Sequence, residues 1–183
     1  LYNTLNSVCV LAKKYHADDI QQMIMALSKF FMISLSNGAE VITLAQEVEQ
    51  VKSYMYIQKI RYADKFTLHT DIPEELLMAH ICKLTLQPLV ENAITHGIGN
   101  KRGGGTVTIA TREEPDNWLI TVQDDGCGTD NIAADGLPPQ QEGGFIGLAN
   151  VRQRVESIAR GRLHFSSIKN KGATVTVVLP KER

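Results

Sequence analysis

Apolar residues recur at helical spacing through the first sixty positions. Leu1, Leu5, Val8 and Ala12 fall at i, i+4, i+7 and i+11, which predicts an amphipathic helix over residues 1–16. A second helix starts in "ADDIQQM". Asp18 stands there as N-cap with Gln21 three residues on, the pattern of a capping box. Ile20, Met23, Ile24, Leu27, Phe30 and Phe31 give this helix a broad apolar face, and Gly38 supplies a stop. The pair reads as an αα-hairpin. Such a hairpin cannot bury both faces alone and calls for a partner hairpin or a neighbouring domain. A third helix opens at Thr43 with Gln46 as its capping-box partner. Its stripe of Leu44, Val48, Val51 and Met55 runs to about Tyr62.

The period then shortens. "KFTLHTDIP" is a short strand ended by Pro73. Residues 84–96 return to helix, with Pro88 tolerated in the first turn. Two strands, near 105–111 and 118–123, flank a turn at Glu114–Asn117. Residues 129–144 are poor in apolar residues and rich in Gly, Pro, Asp and Gln, a loop long enough to serve as a lid. Leu148, Val151, Val155 and Ile158 mark a helix stopped by Gly161. "RLHFSSI" and "ATVTVVL" close the chain as strands. The order predicts an α+β fold. A two-layer α/β sandwich, with a mixed, mostly antiparallel sheet covered on one face by helices, follows an N-terminal helical hairpin. The expected division is a hairpin over 1–38 and a larger domain over 39–183. No internal repeat is visible.

The 183 residues carry a net charge of −1, which advertises neither nucleic acid nor an anionic membrane as partner. Cys9, Cys82 and Cys127 are an odd and scattered set, against a disulfide framework or zinc knuckle and for a reducing compartment. No apolar run approaches the length of a membrane span, and no signal peptide is visible.

Chemistry concentrates in four stretches: "LQPLVENAITHG", "DDGCG", "GGFIGLANVRQRV" and "NKGATVTVVLP". Each alone has an ordinary structural explanation. In this order, with a lid-like loop between the second and third, they resemble the C-terminal kinase region of bacterial sensor histidine kinases of the LytS/YesM type. That group's ATP-binding domain shares the fold of DNA gyrase. "LYNTLNS" at the start and "EVEQVKSYMYIQKIRY" in the third helix extend the resemblance along nearly the whole chain.

The resemblance implies the following roles. Asp124 reads adenine: an ionised carboxylate only accepts hydrogen bonds, so it takes one from the exocyclic amine and faces guanine's carbonyl unfavourably. Gly126 and Gly128 bring backbone close to the base, and Asp125 occupies a variable, solvated place. Asn92 is the Mg²⁺ ligand, and His96, four residues on, shares its helix face. His96 then either contacts a phosphate or caps the helix near Gly97. Glu91 supports Mg²⁺-bound water or the helix end. Gly147 and Leu148 open a helix whose N-terminus favours a phosphate, Arg152 is the phosphate contact, and Thr174 bonds near Asp124 and the adenine.

This chain departs from the family at Thr95, where a lysine is frequent, with Lys101, Arg102 or Arg152 as candidate replacements. It departs again at Phe145, where a glycine is usual and Gly143 and Gly144 stand upstream. Pro88 occupies the place of the general-base glutamate of gyrase-type ATPases, which favours a kinase over an efficient hydrolase. None of His16, His69, His80, His96 and His164 has the context of a phosphoacceptor. In the family the acceptor stands two residues before the Leu that begins this chain. The expectations are therefore ATP and Mg²⁺ as ligands, a response regulator as partner and a homodimer through the N-terminal helices. The chain would form a cytoplasmic domain of a membrane sensor, with no nucleic acid bound. A serine kinase of the anti-sigma-factor type and a decayed ATP-binding interaction module stand as alternatives.

Overall fold

The computed structural model describes residues 2–34, 40–62, 65–99, 101, 103–139 and 146–181. In chain order come α1 (Tyr2–Lys14), α2 (Asp18–Ser34), β1 (Val41–Thr43), α3 (Leu44–Arg61) and β2 (Phe66–Asp71). A 3₁₀ turn (Glu74–Leu76), β3 (His80–Cys82) and α4 (Leu86–Asn92) follow, and α4 runs on into a π-helical turn (Ala93–Ile98). Then come β4 (Gly105–Glu113), β5 (Asn117–Asp124), α5 (Ile146–Ile158), β6 (Arg162–Ile168) and β7 (Gly172–Pro180).

Strict alternation builds the sheet. Val107 and Ile109 of β4, Ile120 and Val122 of β5, and Val175, Val177 and Leu179 of β7 all turn to one buried face. Threonines at 106, 108, 121, 174 and 176 hold alternate positions on the other. Five strands pair in the order β2-β4-β5-β7-β6. β2 runs parallel to β4, and every other neighbour pair is antiparallel. Helices α3, α4 and α5 supply Leu44, Val51, Leu86, Val90, Leu148 and Val155 to the same core. The mixed, mostly antiparallel sheet with helices on one face is the arrangement that the sequence predicts.

The three-residue strands β1 and β3 are new. They pair antiparallel, Val41 opposite Cys82, in a separate small sheet. Thr43 ends β1 and caps α3: its Oγ1 accepts from Gln46 N at 3.3 Å, and its own N–H donates to Gln46 Oε1 at 2.9 Å. The other expected capping box is not formed. Asp18 is the first residue of α2 itself, so Asp18 and Asp19 sit in the first turn, where their charges complement the helix dipole. Gly38 lies outside the described residues.

The hairpin's neighbour is α3. α2 packs on both α1 and α3. The Tyr56 hydroxyl donates to Gln22 Oε1 at 2.7 Å, Lys29 pairs with Glu49, and the Phe30 and Tyr54 rings lie 6.4 Å apart.

Glu47 joins α3 to α4. It lies on the apolar stripe of α3 and is 0% exposed. α4 starts after Leu84, which has a left-handed φ of 58°, and Thr85 provides no side-chain cap because its hydroxyl donates to Cys82 O at 2.6 Å. The N–H groups of Leu84, Thr85 and Leu86 instead donate to the Glu47 carboxylate at 2.6, 3.0 and 2.8 Å. Burial pushes the Glu47 carboxyl above its ordinary range, against the opposing pull of these donors and of Arg154.

Glu47→Ala leaves three donors without their acceptor. At about 1–3 kcal/mol per buried unsatisfied group, it lowers the unfolding free energy by at least about 3 kcal/mol. Glu47→Gln, which keeps one acceptor oxygen, falls between. Urea denaturation followed by far-UV circular dichroism measures both.

Candidate functional site

The C-terminal half of α4 and its π turn stand over one end of the sheet and leave an open cleft of about 500 Å³. Val122, Phe165, Ala173 and Val175 form its apolar floor. Leu89, Asn92, Ala93 and His96 face it from the helix, and Leu148 of α5 closes one side.

Asp124 ends β5 at the cleft and is 5% exposed. Its Oδ1 accepts from Gly126 N at 2.8 Å. Burial raises its pKa above the usual aspartate range. The Gly126 and Ala173 N–H groups and Lys101 oppose the rise, and the neighbouring Asp125 adds to it. Two glycines are required here by close approach. A Cβ on Gly97 would strike the Asp124 carboxylate, and one on Gly126 would strike the Gly97 backbone. Cys127 N donates to Gly97 O at 2.9 Å, so the loop after β5 and the π turn are joined backbone to backbone. The π turn itself is fixed by the bond from Gly99 N to Ile94 O at 2.7 Å. Gly128, at φ +57°, carries the chain along the cleft towards Thr129.

Asn92 is half-buried, and its Nδ2 has no hydrogen-bond partner. Gly147, in the first turn of α5, stands over it: a Cβ there would lie 3.5 Å from Asn92 Nδ2. Asn92, His96, Asp124, Gly128 and Leu148 are thus brought to one cleft, with Gly126 and Gly147 against its walls.

Other expected positions lie elsewhere. Glu91 is exposed and does not line the cleft; its charge acts on Tyr54 of α3, whose hydroxyl is pushed up mainly by burial and secondarily by Glu91. Arg152 is held by the loop after Thr129, donating to Asp135 O at 2.7 Å and to Asp135 Oδ2 at 2.5 Å. Thr174 pairs across to Gln123, whereas the residue opposite Asp124 is Ala173. Parity along β7 therefore puts the Thr174 side chain on the far face of the sheet, away from the adenine-reading position.

Asp125 is more than a solvated residue: its Oδ1 accepts from Thr106 N at 3.0 Å and its Oδ2 lies 3.3 Å from Lys101 Nζ. Lys101 also donates to Asp125 O at 2.7 Å. Arg102, Gly143, Gly144 and Phe145 lie outside the described residues.

The sequence reading missed Thr129, Phe165 and Ser167, which also line the cleft. The signal was available for the last two: Leu163, Phe165 and Ser167 alternate onto one face of β6. It missed Leu137 too, a residue of the loop after Thr129 that is only 5% exposed within the core.

Residues 80–183 match the family of histidine kinase-, DNA gyrase B-, and HSP90-like ATPases, and residues 1–66 match the histidine kinase family. The chain belongs to the first of these, a family of ATP-binding domains. It is 34% identical to the sensor histidine kinase YpdA of Escherichia coli K12, over 100% of this chain and 32% of that protein. It is 33% identical to the sensor histidine kinase YesM of Bacillus subtilis 168, over 98% of this chain and 31% of that one. The chain therefore spans about a third of the length of these relatives. The Acinetobacter baumannii histidine kinase AdeS shares the fold, with a TM-score of 0.60 at 17% identity over 95% of this chain and 85% of that one. Over its matched length the chain is similar to a region of these sensor histidine kinases that includes the ATP-binding domain.

The raised pKa of Asp124 has a measurable sign. Without nucleotide, its contribution to stability is fully present below about pH 4 and is lost as pH rises through the raised folded-state value. Asp124→Asn keeps an acceptor for Gly126 N and removes the buried charge. The variant is expected to melt above wild type at pH 7–8, with the difference closing towards pH 4, in nucleotide-free scanning fluorimetry across that range.

Proposed function

We propose that this region binds ATP with Mg²⁺ and passes the γ-phosphoryl group to a histidine of its sensor protein, and thence to a response regulator. The observation that carries the reading is the buried Asp124 carboxylate at one part of an apolar cleft, with the unpartnered amide of Asn92 on the facing helix. Asp124 accepts the exocyclic amine of adenine, and the floor of Val122, Phe165 and Val175 receives the ring. Guanine sets its carbonyl oxygen against the same carboxylate, so the site favours adenine.

Mg²⁺ fits the residues present. Among the described residues no group of three or more His, Cys, Asp or Glu is placed to hold a metal. A single hard oxygen from Asn92 suits an ion that takes its remaining ligands from phosphates and water. When bound, it neutralises triphosphate charge. Asn92 and His96 then orient the phosphates from one helix face. Pro88 has no acid–base chemistry, so α4 offers no base there to activate water, and the reading is phosphoryl transfer by positioning.

The exposed Val10 and Leu11 on α1 and Met25 and Met32 on α2 support pairing of these helices with a second copy. No described helix is long and apolar enough to cross a membrane. A membrane location belongs to the longer protein that the relatives imply. The net charge of −1 gives no support to nucleic acid as a partner.

Calorimetry with Mg·ATP tests the reading. Wild type is expected to bind, and Asp124→Asn to lose about 100-fold or more in affinity. Asn92→Ala is expected to weaken binding in Mg²⁺ and to change it little in EDTA. No binding by wild type at millimolar nucleotide overturns the reading. In the longer protein the label from γ-labelled ATP is expected to be acid-labile and alkali-stable. Label on serine would favour the serine-kinase alternative.

A further inference from the structure

Asp124 lies opposite Ala173 across β5 and β7, and Ala173 lies opposite Ser167 across β7 and β6. Side chains in one cross-strand row share a face, and all three line the cleft. The row is thus polar at both ends with a methyl between. Asp124 accepts from Gly126 N at the start of the loop that leaves it, and Ser167 binds the far end of the same loop. Its Oγ accepts from Thr129 N at 2.8 Å and donates to Gly172 O at 3.0 Å.

Both partners sit at tight places. Gly172 has φ +96°, and a Cβ there would strike the Asp124 carbonyl oxygen. Thr129 follows Gly128, where a Cβ would strike the carbonyl of Ile168. The Ser167 hydroxyl therefore ties the Thr129 end of the "DGCGT" loop to the β6–β7 hairpin where that hairpin presses on Asp124, beside the bonds from Asn170 N to Cys127 O at 2.5 Å and from Lys169 N to Asp130 Oδ1 at 3.1 Å.

We propose that Ser167 is a specificity-determining, positioning residue of the base site: its hydroxyl sets the width of the slot in which Asp124 reads the base. The proposal rests on the nucleotide reading above. Loss of the hydroxyl removes both of its bonds and loosens the loop at Thr129, on the side facing the cleft. The base is then no longer held against Asp124, so affinity falls and discrimination between amino and carbonyl purines falls with it. Ser166, next along the strand, turns to the opposite face and serves as a control of identical chemistry.

Displacement of a fluorescent ATP analogue by ATP and by GTP is measured on wild type, Ser167→Ala, Ser167→Thr and Ser166→Ala, with melting temperatures alongside. Ser167→Ala is expected to bind ATP about tenfold more weakly and to show a smaller ATP-to-GTP preference than wild type. Ser167→Thr, which keeps the hydroxyl, and Ser166→Ala are expected to behave like wild type. If wild type binds neither nucleotide, the nucleotide reading fails and this inference with it. If wild type prefers ATP and Ser167→Ala is within twofold of it, this inference alone is overturned. Equal proportional losses for ATP and GTP, or no recovery in Ser167→Thr, overturn it as well.

Discussion

The geometry of the cleft depends on a carboxylate that never reaches it. α4 is seven residues long and begins in the interior, where its first N–H groups cannot turn to water. Neither Thr85 nor the left-handed Leu84 supplies an acceptor, and Glu47 reaches across from α3 to take three donors at once. Asn92 stands at the end of that same short helix and His96 on the turn that continues it. The direction in which they face is therefore set two turns earlier, by a charge on another element. α3 in turn is held by α2 through Phe30, Lys29 and Gln22. A continuous set of contacts runs from the N-terminal hairpin, through α3 and Glu47, to the helix that faces the cleft.

The opposite wall is fixed by backbone rather than by charge. Gly126 and Gly172 are needed because main chain passes where a Cβ would be, that of Gly97 and of Asp124 in turn, and Gly97 because the Asp124 carboxylate stands there. The glycine pattern in "DDGCG" is thus explained by close packing before any ligand is considered. The bond from Cys127 N to Gly97 O makes that packing the joint between helix layer and sheet. Two walls that belong to different layers are joined by this backbone contact, with Asp124 buried beside it.

Period and parity account for what the sequence made legible. The stripes of α3 and α5 and the alternation of β4, β5 and β7 are long enough to show their faces, and Asp124 and Asn92 stand in motifs tied to those elements. Thr174 failed by one residue. The motif locates the strand, but only the pairing of β7 with β5 fixes which parity faces Asp124, and pairing is not written in either strand alone. β1 and β3 have three residues each, too few for a period to appear. Glu47 was missed because a carboxylate on an apolar stripe reads as an interruption, although its place between Leu44 and Val48 was the available sign. Leu137 was hidden by the polar composition around it.

The charges near the cleft divide into two kinds. Glu47 and Asp124 are buried, hydrogen-bonded to backbone and immovable without disturbing the fold. Arg152 and Lys101 are held instead by Asp135 and Asp125, whose side chains are more than half exposed. Exposed ion pairs are weak and are screened by salt, so such cations exchange carboxylate for phosphate at little cost. Thr95 offers no cation of its own. Among the described residues, the candidate cations Lys101 and Arg152 are both already paired, to Asp125 and to Asp135. Leu137, two residues from Asp135, anchors the loop after Thr129 in the core. Arg152, bonded to Asp135 O and Oδ2, joins α5 to the loop that Leu137 anchors in the core, so one guanidinium ties helix and loop together beside the cleft.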